Sequence, residues 1–230
     1  MMFTVDRLNV YYGESHVIRS VSFALAEGET VAFMGRNGMG KTTLLKSLIG
    51  IIPLRSGSID LSGKDLTRLK SYERVARGLA YVPQGRMIFS QLTVEENILT
   101  GMEHLPGRPV PEYVYSFFPV LREMKRRRGG NLSGGQQQQL AIARALVAEP
   151  KVLILDEPTE GIQPSIIKEL ARTLNQIKTE RKLSIVLAEQ VLSFALEISD
   201  RFVIIEKGEF VYEGARASVD KARIHSYLTV

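Results

Sequence analysis

The chain has 230 residues, 44% of them apolar and 24% charged, with no cysteine and a formal charge of +5. A chain of this size buries roughly 70% of its unfolded surface, and this composition excludes a collagen, a mucin-like stalk and a disordered tail protein. The missing cysteine excludes a disulfide scaffold, a thiolate zinc site, an iron–sulfur cluster and a cysteine nucleophile, while the basic surplus is compatible with nucleic acid, anionic lipid, a phosphate-bearing ligand or a slightly basic enzyme.

The N-terminus carries Asp6 early and lacks a basic start followed by an apolar run, so no secretory signal is expected. Residues 5–12 and 17–25 alternate loosely with β-branched and aromatic residues and predict two strands joined by a turn at Gly13. Thr30 to Met34 predicts a short buried strand. A Gly-rich loop follows, then a helix from Thr42 to Ile49 ended by Gly50. Short strands are expected at Ser58 to Leu61 and at Leu79 to Val82, the second stopped by Pro83. From about residue 85 to 150 the pattern turns helical. Thr93 to His104 reads as a helix opened by a Thr93–Glu96 capping box and broken by Pro106 to Pro111. Glu112 to Arg128 and Gln136 to Ala148 are further helical stretches, separated by a turn over Asn131 to Gly135. Lys151 to Leu155 is continuously apolar, the pattern of a strand buried on both faces. Ile167, Leu170, Leu174 and Ile177 share one helical face. Strands at Leu183 to Ala188 and Phe202 to Ile205 flank a helix at Val191 to Ile198, and a Lys207-Gly208 turn before Phe210 to Tyr212 suggests a hairpin. Strands alternating with helices imply a parallel sheet with ligands at its carboxyl ends. No run of about 18 apolar residues, the length of a bilayer span, occurs.

Gly35-Arg36-Asn37-Gly38-Met39-Gly40-Lys41-Thr42 fits G-x-x-x-x-G-K-[ST], between a predicted strand and a predicted helix. Glycines there let backbone N–H groups surround phosphate oxygens, and the helix N-terminus adds positive potential. Lys41 supplies a point charge for the β- and γ-phosphates, the Thr42 hydroxyl a ligand for Mg²⁺, and Thr43 completes the nucleotide-binding set. The strand ending in Asp156-Glu157 supplies a second half: Asp156 to hold Mg²⁺ and Glu157 to orient or deprotonate an attacking water. Alone, a strand with a polar end is weak evidence; beside the phosphate loop it makes nucleotide hydrolysis the leading reading.

Leu132-Ser133-Gly134-Gly135-Gln136, between the phosphate loop and Asp156, resembles the signature of ATP-binding cassette (ABC) ATPases. Physically, a serine and two glycines at a helix N-terminus form a second anion site. The resemblance covers essentially the whole chain. It implies an α/β P-loop NTPase fold with a RecA-like parallel-sheet core, an N-terminal antiparallel β subdomain and a helical subdomain inserted at about 85–150. Residues 1–230 would form one such domain. It also implies that the signature completes the ATP site of a partner subunit in a head-to-tail dimer. Tyr12 resembles the aromatic residue that stacks on adenine; the plain alternative is a strand-end aromatic in the core. Gln84, after Tyr81-Val82-Pro83, resembles the glutamine that contacts Mg²⁺ and relays to the membrane partner.

Two positions depart from the family pattern. The switch histidine is replaced by Gln190, which can hydrogen-bond a γ-phosphate but cannot carry a proton near neutral pH. A common Asp of the segment after Glu157 is replaced by Gln163. Pro158 to Pro164 together with Ala188-Glu189-Gln190 is similar to ATPase subunits of branched-chain amino-acid and urea importers, and Arg36 leans toward the urea type. That branch implies a motor subunit with ATP and Mg²⁺ as cofactors. A second, different ATPase chain is the implied partner, with a homodimer open for the isolated chain. Transmembrane permease subunits and, indirectly, a solute-binding protein would complete the assembly, on the cytoplasmic face of the membrane. DNA-repair members carry long coiled coils and translation factors carry two cassettes, so no nucleic acid partner is expected. Lys125-Arg126-Arg127-Arg128 is read as a solvated helix end, and the plain reading of Arg36 is a surface side chain. His16, His104 and His225 have no metal-ligand spacing.

Overall fold

The computed structural model describes residues 1–102 and 107–228. Two sheets organise it. Strands β1 (Phe3–Tyr12), β2 (Ser15–Leu25), β4 (Ser56–Leu61) and β5 (Lys64–Asp65) form an antiparallel sheet in the order β2-β1-β4-β5. Strands β3 (Thr30–Met34), β6 (Leu79–Val82), β7 (Val152–Asp156), β8 (Ser184–Glu189), β9 (Arg201–Glu206) and β10 (Glu209–Ala215) form the second, in the order β10-β9-β3-β8-β7-β6. Every pairing in it is parallel except β10 with β9. The turn at Lys207-Gly208 joins that antiparallel pair, so the expected hairpin forms.

The central strands are apolar on both sides because both sides are covered. Ala32, Met34, Leu153, Leu155, Ile185, Leu187, Phe202 and Ile204 face one core. Their alternates Val31, Phe33, Val152, Ile154, Val186, Ala188, Val203 and Ile205 face the other. The first core packs against helices α3 (Val94–Leu99), α4 (Glu112–Phe117), α5 (Pro119–Glu123), α6 (Gly134–Leu146), α7 (Pro164–Arg181), α8 (Leu192–Ile198) and α9 (Lys221–Leu228). The second packs against the antiparallel sheet and α1 (Lys41–Leu48). The period-2 alternation of a pleated strand thus sorts each strand's residues between two cores. Between β6 and β7 the described residues form helices and turns with no strand, which agrees with the expected helical insertion.

Several boundaries differ from expectation. The first inserted helix stops at Leu99, followed by a 3₁₀ turn over Thr100–Met102; His104 and Pro106 lie outside the described residues. Its opening is as expected: the Glu96 N–H donates to Thr93 Oγ1 at 3.2 Å and the Thr93 N–H to Glu96 Oε2 at 2.7 Å. The stretch 112–128 is two short helices, because Pro119 follows a Phe118 held at φ −128°, outside the helical region. Consequently Lys125 to Arg128 is a loop rather than a helix end: Val94 and Glu95 donate their N–H groups to the Arg127 and Lys125 carbonyls. The signature helix starts at Gly134, not after a turn ending at Gly135. Helix α2 (Ser71–Ala76), β5 and α9 were not expected at all.

Helix α2 is short and polar, and its one buried residue is Arg74. The Arg74 guanidinium donates to the carbonyls of Ser47 (2.8 Å), Leu48 (2.7 Å), Thr67 (2.9 Å) and Leu69 (3.0 Å). Ser47 and Leu48 are the last residues of α1, whose final carbonyls have no partner inside the helix. Arg74 therefore caps the C-terminus of the phosphate-loop helix with a cation, the sign the helix dipole favours there.

Candidate functional site

The phosphate loop runs from the end of β3 into α1. Gly35 and Gly40 take φ of +156° and +110°. A Cβ on Gly35 would stand 2.4 Å from the Ile205 carbonyl oxygen, and one on Gly40 would stand 2.9 Å from the Ile18 side chain, so the loop's backbone path admits only glycine at both. Met39 ties the loop to the hairpin turn: its carbonyl accepts from the Gly208 N–H at 3.0 Å. Arg36 is half-buried, its Nε shielded from solvent, which corrects the reading as a surface side chain. Thr43 lies in the first turn of α1 beside Thr42.

Lys41 is 4% exposed. Its Nζ donates to the carbonyls of Gly35 (2.8 Å) and Arg36 (3.1 Å) and pairs with Glu157 Oε1 at 3.2 Å. The Thr42 hydroxyl donates to Asp156 Oδ1 at 3.0 Å, joining the two halves of the expected site. Asp156, the last residue of β7, takes a second hydrogen bond from the Tyr81 hydroxyl to Oδ2 at 2.9 Å. Burial pushes the Asp156 carboxyl above its ordinary value, and the Tyr81 and Thr42 hydroxyls pull against that shift. Burial, then the neighbouring Asp156 charge, pushes the Tyr81 phenol far up as well, so it stays a donor.

Glu157 turns out of the strand at φ +47°, its N–H donating to the Ala188 carbonyl at 2.9 Å. Three side chains meet its carboxylate: Lys41, Gln190 through Nε2 to Oε1 at 2.8 Å, and Gln84 through Nε2 to Oε2 at 3.3 Å. Gln190 also donates to Asn37 Oδ1 at 2.8 Å. Residues from three separate stretches of chain therefore converge on one carboxylate. Asp156 forms no ion pair among the described residues. A buried carboxylate served only by neutral donors and bonded to the Thr42 hydroxyl offers hard oxygens that suit Mg²⁺, while Gln84 reaches Glu157 next to it.

Tyr12 ends β1 with 52% of its surface exposed, so it is not the core aromatic of the plain alternative. The signature residues stand elsewhere. Leu132 is buried, and Ser133 caps α6 reciprocally with Gln136: the Gln136 N–H donates to Ser133 Oγ at 3.3 Å and the Ser133 N–H to Gln136 Oε1 at 2.9 Å. A Cβ on Gly134 would come within 3.1 Å of the Gly161 carbonyl, and one on Gly135 within 2.6 Å of the Ile166 side chain. No hydrogen bond joins 132–136 to residues 35–43 among the described residues. Gln163 sits at the N-cap of α7. His16 stacks on Tyr11 and bonds Asn9, and no group of His, Asp and Glu among the described residues is arranged to hold a metal by itself.

Sequence reasoning missed Tyr81 and Glu189 as parts of this site; Asn37 was expected as a phosphate-loop residue, and its bond to Gln190 was not. Tyr81 was readable in principle, as the polar-headed residue of a strand directly preceding Gln84.

A glycine loop at the head of a parallel strand, a buried lysine and a neighbouring strand-end Asp-Glu pair define a phosphate-loop nucleotide-binding protein. The chain matches the ABC transporter family over residues 18–160, and it belongs to that family. It is 38% identical over 221 residues to the high-affinity branched-chain amino acid transport ATP-binding protein BraG of Pseudomonas aeruginosa, covering 95% of this chain and 94% of that one. A probable branched-chain amino acid transport ATP-binding protein, LivF of Archaeoglobus fulgidus, is 37% identical, with 93% and 92% covered. Among solved structures, an ATP-binding subunit of an ABC transporter superposes with a TM-score of 0.83 at 27% identity and full coverage of both chains. The chain is thus an ABC transporter ATP-binding subunit with a mixed α/β cassette fold, and no helix among its described residues is long and apolar enough to cross a membrane.

Proposed function

We propose that this chain is the ATP-hydrolysing motor of an importer for branched-chain or other hydrophobic amino acids or for urea, working as one ATPase domain over residues 1–230. The observation that carries the reading is the Glu157 carboxylate held among Lys41, Gln84 and Gln190 beside buried Asp156. The loop of residues 35–40 with Lys41, Thr42 and Thr43 takes the phosphates, and Tyr12 stacks on the adenine. Asp156, Thr42 and Gln84 hold Mg²⁺, which when bound neutralises phosphate charge. Glu157 orients a water and accepts its proton. Gln190 positions Glu157 and hydrogen-bonds the γ-phosphate without carrying a proton. Ser133, Gly134, Gly135, Gln136 and the preceding Leu132 face the ATP of a second ATPase subunit, a different chain in the native assembly.

Coupling to the permease runs through a groove of about 860 Å³ between β6, α2 and α6. Tyr72, Val75, Met87 and Phe89 line it and are all exposed. A cytoplasmic segment of the permease seats there, placing the chain on the cytoplasmic face of the membrane. Solute choice lies with the permease and an external binding protein. Likeness to BraG and LivF supports amino acids; Arg36 in the phosphate loop is the feature that leans to urea.

Uptake of labelled leucine and labelled urea by native cells, wild type against Lys41→Ala, tests the reading. Collapse of one uptake establishes the motor role and the solute together. If neither changes, both importer assignments are wrong.

A further inference from the structure

Glu189 ends β8 with a carboxylate that the proposed chemistry leaves unused. It is 2% exposed. Its Oε1 accepts the backbone N–H groups of Gln190 at 2.7 Å and Val191 at 3.0 Å, and its Oε2 accepts the Thr159 hydroxyl at 2.8 Å. Thr159 is itself 4% exposed and opens the turn through Glu160 and Gly161 that leads into α7. Burial acts to keep this carboxyl neutral and the three donors act to keep it ionised. A hydroxyl side chain could not replace it, because the bonds lie on two different oxygens and reach two different segments.

The geometry points to Glu189 as a positioning residue for hydrolysis. It pins the bend after β8 so that the Gln190 carboxamide meets Glu157, and it fastens that bend to the segment that follows Glu157. This rests on the reading of Glu157 as the hydrolytic carboxylate. A residue that merely capped α8 would stabilise the fold and leave turnover alone. A positioning residue acts through Gln190, so removing it after Gln190 has gone should change nothing more.

The test is steady-state ATP hydrolysis by the full chain in its native assembly, with melting temperature followed in parallel. Glu189→Ala should lower kcat about tenfold or more, since charged hydrogen bonds position the base, and leave KM for ATP within about twofold. Glu189→Gln should retain most of kcat, its Oε1 accepting both N–H groups and its amide donating to the Thr159 oxygen. Glu189→Ala with Gln190→Ala should be no slower than Gln190→Ala alone. Wild-type kcat in a folded Glu189→Ala, or losses that multiply in the double variant, overturns the proposal. Should Glu189→Ala fail to fold, Thr159→Val removes one donor; it should lower kcat less and show the same non-additivity with Gln190→Ala, and independent losses overturn the proposal there too. Glu157→Gln separates the two levels. If it hydrolyses ATP like wild type, the reading of Glu157 fails; if it is inactive while Glu189→Ala is normal, only the role of Glu189 fails.

Discussion

Replacing Arg74 by alanine should destabilise the whole cassette by way of the phosphate-loop helix. The carbonyls of Leu48, Thr67 and Leu69 lose their donor, and that of Ser47, at the end of α1, keeps only the Gly50 N–H. Stranding each of the three costs about 1 kcal/mol, roughly 3 kcal/mol together. Burial of the guanidinium opposes its charge and lowers its pKa, so removing it offsets part of this loss. The net expectation is about 2 kcal/mol, or a melting temperature lower by roughly 4–8 °C for a chain of this size. Thermal and urea unfolding of wild type, Arg74→Ala and Arg74→Lys measure it. Lysine has no planar fork and should recover less than half. The rise in melting temperature on adding ATP should be equal in all three, because it depends on affinity and Arg74 does not touch the phosphate loop's interior. A loss below about 1 kcal/mol, or a lysine variant as stable as wild type, would refute the argument.

Gly208→Ala places a Cβ 1.8 Å from the Val17 carbonyl oxygen at a φ of +81°; the loss should be about 2–4 kcal/mol, read by circular dichroism melting, and an unchanged melt contradicts the geometry. Glu189 has a raised folded-state pKa from burial, so its favourable contribution is fully present below the ordinary glutamate value and fades as pH rises through the raised one. Relative to wild type, Glu189→Gln should therefore gain stability as pH rises above the ordinary glutamate value; melting curves that stay parallel there would rule this out. Tyr72→Asp puts a charge in the groove in place of an aromatic side chain that is 66% exposed. Solute uptake should fall much further than ATP hydrolysis, and equal losses would place Tyr72 outside the coupling surface.

The signature string was recognised by its resemblance to the family, whereas the phosphate loop and the strand carrying Asp156 were legible from local chain geometry. Each depends on residues adjacent in sequence and on one strand or helix end. The two-faced apolar runs of β3, β7 and β8 likewise announced a covered parallel sheet. What escaped was set by partners far along the chain. Arg74 reads as an ordinary surface cation on a six-residue polar helix; only the fold brings the end of α1 to it. Glu189 reads as a polar strand end, and its meaning comes from Thr159, which arrives from another crossover. Helix α5 was hidden by treating Pro119 as interior, when proline is favoured at a first helical position.

Lys41 and Glu157 pair at 3.2 Å with side chains 4% and 10% exposed. Their charges cancel, so the loop exerts little standing pull on stray anions. An anion that claims the Lys41 ammonium does so by exchange with Glu157. If Glu157 is the hydrolytic carboxylate proposed above, loading the pocket and freeing that carboxylate are a single event, and a departing anion is met by a tethered rival that reclaims its place. The chain carries its own competitive inhibitor, one residue past the strand that built the site.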